Sequence, residues 1–123
     1  MNPVERIRAL MEKAVSPCEG DAVLMSGGLD TSIVVALASK RGGLRGYTVA
    51  LTGFPAPDVV YASVVAKRFG VRHAVLFCTV EEALKAVKEV IRVLGTFDPM
   101  EVRNSVPVYL GLKLAREGAQ TRF

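Results

Sequence analysis

Apolar residues recur along this chain in two rhythms, and their alternation sets out the fold. Val4, Ile7, Leu10, Met11 and Ala14 fall at helical spacing and form one stripe. Asn2-Pro3-Val4-Glu5 opens that helix with a cap residue, a proline at the first helical position and a first-turn glutamate; Ser16-Pro17 stops it. This lead-in helix, within residues 1–17, is expected to lie against a sheet and to carry no chemistry. Ala22-Val23-Leu24-Met25 is a short continuous apolar run, as in a strand buried on both faces of a parallel sheet. Ile33 to Ala38 continues as a helix, closed by Lys40-Arg41-Gly42-Gly43, with cations in the last turn and glycine past it.

The same rhythm then repeats. Gly46 to Gly53 reads as a second strand bounded by glycines. Pro55-Ala56-Pro57-Asp58 breaks the chain and caps a helix whose core positions are Ala62, Val65, Ala66 and Phe69. Arg72 to Cys78 is a third strand, and Thr79-Val80-Glu81-Glu82 is a capping box for a helix striped by Leu84, Val87, Ile91 and Leu94. The stretch from Phe97 to Leu110 is too polar and too proline-marked to extend that helix, which predicts a loop, then a last helix capped near Asn104 or Ser105 and running through Leu112 and Ala115 to Gly118. Strands alternating with helices make an α/β fold, a parallel sheet with helices on both faces and right-handed crossovers. The 123 residues suit one domain, with residues 18–123 as its α/β core.

Composition adds few functions and removes several. Lys and Arg number 16 against 12 Asp and Glu, a basic excess that fits anionic substrates or plain solubility. The basic residues sit at helix ends and polar faces without interleaved aromatics, so no nucleic-acid partner is expected. Cys18 and Cys78 belong to no CxxC or Cys/His pattern and read as ordinary thiols, not metal ligands. No apolar run reaches membrane-spanning length and no signal peptide is visible, so a soluble cytoplasmic protein without a membrane partner is expected. His73 is the only histidine, and at the start of a strand it reads as a partly exposed structural residue.

The chemistry concentrates where the first strand meets the next helix, at Met25-Ser26-Gly27-Gly28-Leu29-Asp30-Thr31-Ser32. Strand, glycine turn and helix N-terminus together make an anion site: Gly27 and Gly28 let the main chain approach a ligand, and free N–H groups and the helix dipole point at negative charge. Ser26, Thr31 and Ser32 add hydroxyls. Asp30 would repel a bare phosphate, so it reads as a magnesium partner or as a helix N-cap. No Gly-Lys-Ser/Thr follows, so the loop is not a Walker A motif. Ligands in such sheets sit beyond the C-terminal strand ends, which places Leu24, Val49, Leu51 and Gly53 to pack the apolar part of a ligand.

Ser26-Gly27-Gly28-Leu29-Asp30-Thr31-Ser32 resembles the SGGxDS signature of the PP-loop ATP pyrophosphatases, with threonine in place of the usual serine. The segment Arg103-Asn104-Ser105-Val106-Pro107-Val108-Tyr109-Leu110 is similar to one in the synthetase domain of asparagine synthetases, which separates that family from argininosuccinate synthetases. With the Val49-Ala50-Leu51 strand end, Pro57-Asp58 and Phe69-Gly70-Val71-x-His73, the resemblance runs from about Ala22 to Gly118. It implies an adenine nucleotide alpha hydrolase-like (HUP, Rossmann-like) fold and the substrates and cofactors ATP and Mg. It also implies an aspartate-like carboxylate that is adenylated, with release of pyrophosphate, for amide formation. By the same resemblance Leu24 and Val49 match adenine-lining positions, while Ser26, Gly27, Gly28, Asp30, Thr31 and Ser32 match the pyrophosphate loop.

Departures from the family qualify that reading. The glutaminase domain, the fourth strand, its Gly-Asp/Glu-Gly-x-Asp-Glu loop and a later catalytic lysine have no counterpart in this sequence, so the domain is expected to be C-terminally truncated. Losing the fourth strand would turn a central first strand into an edge, and Ala22 to Met25 is expected to pair with a second copy, a partner chain or the C-terminal helix. Three functions stay open: an amidoligase, a non-catalytic ATP-binding module completed by a partner and, on weaker grounds, a tRNA-modifying enzyme of the same superfamily.

Overall fold

A computed structural model describes residues 2–117. Three parallel strands, β1 (Ala22–Leu24), β2 (Arg45–Leu51) and β3 (Arg72–Cys78), lie in the order β1-β2-β3. Leu24 stands opposite Tyr47, and Leu51 opposite Cys78. Helices α2 (Leu29–Ala38, followed by a 3-10 turn at Ser39–Arg41) and α3 (Pro57–Phe69) connect the strands. After β3 come α4 (Val80–Leu94) and α5 (Pro99–Arg116), and α1 (Pro3–Val15) precedes the sheet. The fold is therefore the expected α/β arrangement with a parallel sheet between helices.

Strand β2 explains why the sheet is buried on both sides. Its residues alternate, and alternate residues meet different cores. Against α2 and α3 lies a core of Met25, Val35, Ala38, Leu44, Ala62, Ala66 and Val71. Toward α4 and α5, Val49, Leu51 and Leu76 pack around Cys78, Ala86 and Leu110. Small side chains at these contacts let helices approach closely. Gly111 of α5 is buried against Leu24, whose Cδ2 lies 2.7 Å from where a Cβ would stand.

Several expectations need correction. Helix α1 forms with its capping box, Asn2 and Glu5 bonding each other's backbone, but it touches α2 and buries none of its residues. Its stripe of Val4, Ile7 and Leu10 is more than half exposed. Periodicity tells which residues share a face but not what covers that face. In α3, Ala62 and Ala66 are buried and Val65 half-buried, whereas Phe69 lies at the rim beneath the Arg68 guanidinium. In α4 the buried side chains are Ala86 and Val90, with Leu84 and Leu94 exposed; the alanine face allows α5 to dock, and the leucine stripe is displaced around the helix.

The largest correction is α5, which begins at Pro99 and not at Asn104 or Ser105. Asp98 accepts from the Met100 and Glu101 N–H groups at 2.9 and 3.3 Å, and Pro99 occupies the first turn where its missing N–H costs nothing. The helix then continues through Pro107, losing one backbone bond there. The predicted end at Gly118 lies outside the described residues. Strand β1 is an edge, paired only to β2 among the described residues.

Candidate functional site

Where β1 ends, the chain turns at Ser26, Gly27 and Gly28 into α2. Gly27 has φ +76°, and a Cβ there would stand 2.5 Å from the Ala62 backbone nitrogen of α3. Only glycine fits, both for its backbone angle and for the closeness of α3. Gly28 differs from expectation. Its φ of −73° and ψ of 170° are ordinary extended backbone, and a Cβ would meet only the Ser26 Oγ, at 3.3 Å. Its small size leaves room on the outer side of the loop.

Hydroxyls brace the turn from within. The Gly28 N–H donates to Ser26 Oγ at 3.2 Å, and Thr31 Oγ1 donates to the Gly28 carbonyl at 3.4 Å. Since the Thr31 proton is used there, the 3.2 Å contact between Ser26 Oγ and Thr31 Oγ1 has Ser26 as donor. The Ser32 N–H donates to the Gly28 carbonyl at 3.0 Å and starts the helix. No side chain caps α2, so Asp30 is not its N-cap; Gly28 is. Leu29 and Asp30 are exposed in the first turn, Ser32 is half-buried, and the first N–H groups of α2 point outward without helical partners.

Beneath the loop a buried relay anchors β1. Thr48, 3% exposed, donates from Oγ1 to the Met25 carbonyl at 2.8 Å. That donation fixes the adjoining 2.6 Å contact: His73 Nε2 carries the proton and Thr48 Oγ1 accepts it. Burial lowers the His73 pKa below its ordinary value, which favours the neutral ring. His73 is thus the half-buried structural residue expected from its position.

The outer loop opens on a pocket of about 200 Å³ beyond the C-terminal ends of β1 and β2. Leu24, Tyr47 and Val49 supply its apolar wall, Ser26 and Thr31 its hydroxyl end, and Pro107 and Val108 of α5 its cover. Leu51 and Gly53 are not brought into it. Leu51 packs in the α4–α5 core, and Gly53 is exposed in the turn after β2, with no heavy atom within 4 Å of where its Cβ would be. A second cleft of about 340 Å³ between β3, α4 and α5, lined by Cys78 and Glu82, includes no loop residue.

A family profile for asparagine synthase matches residues 6–121. The chain belongs to that family. It is 34% identical over 101 residues to a probable asparagine synthetase (glutamine-hydrolyzing) of Acanthamoeba polyphaga mimivirus, a match covering 80% of this chain and 18% of the relative. To asparagine synthetase B (glutamine-hydrolyzing) of Escherichia coli (strain K12) it is 35% identical over 103 residues, covering 72% and 18%. To the asparagine synthetase (glutamine-hydrolyzing) of Gallus gallus it is 35% identical over 101 residues, covering 76% and 18%. The matches therefore span less than a fifth of the length of these asparagine synthetases.

Within this asparagine synthase family chain, sequence reasoning missed Tyr47, Thr48, Asp58, Pro107 and Val108 as pocket residues. Alternation along β2 could have flagged Tyr47, which shares a face with Val49. Placing Pro107 required knowing that α5 starts at Pro99 and crosses β1. Among the described residues no group of three or more His, Cys, Asp or Glu could hold a metal ion, and no helix is long and apolar enough to cross a membrane.

Proposed function

We propose that this chain is the ATP-binding portion of an asparagine synthetase-like amidoligase, an ATP-dependent carbon–nitrogen ligase acting on an aspartate-like carboxylate. The observation that carries this reading is one pocket with an apolar wall of strand ends at one side and an uncapped helix N-terminus at the other. An adenine suits Leu24 and Val49. The phosphates suit the outward N–H groups of Leu29, Asp30 and Thr31, with the hydroxyls of Ser26, Thr31 and Ser32 close by and Gly28 leaving space for approach. The Gly27 contact with α3 holds the turn in place.

ATP supplies an electrophilic α-phosphorus: attack by the substrate carboxylate gives an acyl adenylate and pyrophosphate, and ammonia then displaces AMP to form the amide. Asp30 fits a magnesium ion held mainly by phosphate oxygens and water, because Mg²⁺ needs only one or two carboxylates when phosphates complete its shell. Its exposed first-turn position, without a capping role, supports that assignment.

Equilibrium binding tests the reading. MgATP binds, pyrophosphate competes with it, and Asp30→Ala weakens MgATP by about 2 kcal/mol, the cost of one charge-assisted contact. Absence of MgATP binding overturns the reading, and unchanged affinity in the variant removes Asp30 from the metal site.

A second reading has one observation in its favour. The outer edge of β1 is unpaired among the described residues, which suits a non-catalytic ATP-binding module completed by a second copy or a partner chain along Ala22 to Met25. Pyrophosphate release from ATP with aspartate and ammonia distinguishes the two, since only the ligase produces it.

A further inference from the structure

Asp58 is the one carboxylate lining the pocket beside the glycine loop. It lies in the first turn of α3, one turn before the Tyr61–Ala62 backbone against which Gly27 packs. A carboxylate there gains from the helix dipole, but it does not cap α3, which has no side-chain cap at all. It forms no ion pair or hydrogen bond among the described residues. It lines a cavity whose other residues are neutral, and among them the hydroxyls of Ser26, Thr31 and Thr48 are already engaged within the chain.

That placement constrains what Asp58 can meet. A negative charge facing phosphate directly is repulsive, and the apolar wall at Leu24 and Val49 offers the base contact. Between base and phosphates a nucleotide presents the sugar, whose hydroxyls are neutral donors suited to a carboxylate; dinucleotide-binding folds use an acidic residue in this way. Resting on the nucleotide reading above, we infer that Asp58 recognises the ribose, accepting hydrogen bonds from its hydroxyls, and thereby selects ribonucleotides over deoxyribonucleotides. Asp58 is a specificity residue and takes no part in the loop's hold on the phosphates.

Equilibrium binding of ATP, 2′-deoxyATP and 3′-deoxyATP tests this with the whole chain, its Asp58→Ala and Asp58→Asn variants, and circular dichroism to confirm folding. The wild-type chain binds ATP roughly tenfold tighter than at least one deoxy analogue, the worth of one charge-assisted hydrogen bond. In Asp58→Ala the affinity for ATP falls to that of this analogue, while affinity for the analogue stays unchanged; Asp58→Asn, which keeps one acceptor, falls between. Equal wild-type affinity for all three nucleotides overturns the inference, as does an Asp58→Ala variant that weakens or tightens all three alike. Failure of the wild-type chain to bind ATP overturns the nucleotide reading and this inference with it, whereas binding without sugar selectivity overturns this inference alone.

Discussion

The two glycines of the loop sit side by side in sequence and answer to different physics. Gly27 faces inward: its positive φ and the α3 backbone against it leave no room for a side chain. Gly28 faces outward, in a conformation open to any residue, with a single hydroxyl as its near neighbour. Behind Gly27 stands a structural underside of Met25, Thr48 and His73; in front of Gly28 stands a presented surface of Leu29, Asp30 and free N–H groups. One short motif thus combines a packing requirement with an exposed face. Substitution on each side should separate stability from affinity.

The largest effect is expected at the underside. Gly27→Ala combines a left-handed backbone angle, worth about 1–2 kcal/mol, with overpacking of about 1–3 kcal/mol against a backbone that cannot step aside. A loss of about 3–5 kcal/mol in urea denaturation is expected, enough to unfold a marginal domain. A loss below 1 kcal/mol would show that α3 yields and would erase the contrast between the glycines. Thr48→Val comes next. It removes the donor to the Met25 carbonyl and strands the His73 Nε2 proton, costing about 1–3 kcal/mol, whereas Thr48→Ser retains both bonds and most of the stability. A larger loss in Thr48→Ser than in Thr48→Val would show that the methyl group, not the hydroxyl, matters.

How much of this could be read in the sequence follows the same division. Elements with local signals were legible: Thr79 and Glu82 cap α4, Arg72 to Cys78 is β3, and the strand-loop-helix joint lies at Met25 to Leu29. These depend on residues a few positions apart. What covers a stripe depends on residues far away, so α1 was expected on the sheet and the α4 leucines in the core. Helix α5 was obscured for a different reason: Asn104, Ser105 and Pro107 look like cap and breaker residues, yet the stronger start signal, Asp98-Pro99, lay upstream. Leu24 and Val49 line the pocket, as positions near the ends of parallel strands suggest, whereas Leu51 packs in the α4–α5 core. Two residues beyond Val49 the strand has already passed under α4 and α5.

On the presented side, Gly28→Val should do the reverse of Gly27→Ala. The added side chain meets only Ser26 Oγ at its Cβ, so stability is expected to stay within about 1 kcal/mol, the range of tolerated surface changes. Nucleotide approach is blocked, and MgATP affinity is expected to fall at least roughly tenfold, which is 1.4 kcal/mol. A folded variant with unchanged MgATP affinity would remove the outer loop from the site. A variant that unfolds would mean that both glycines serve packing.

The smallest effect belongs to His73 and probes the underside through pH. Burial lowers its pKa in the folded state from the ordinary 6.5, so the unfolded ring takes a proton first as the solution acidifies. Stability is therefore full above about pH 6.5, declines as pH falls from there toward the folded value, and levels off below it. Because His73 is partly solvated, the decline is shallow. His73→Gln keeps an N–H donor for Thr48 but cannot titrate, and it should flatten this part of the denaturation profile while leaving MgATP affinity of the folded chain unchanged at pH 7.5. A variant whose acid profile matches the parent would assign the slope to other groups. One that loses nucleotide affinity would place His73 on the presented side of the loop, against the geometry of the Thr48 relay.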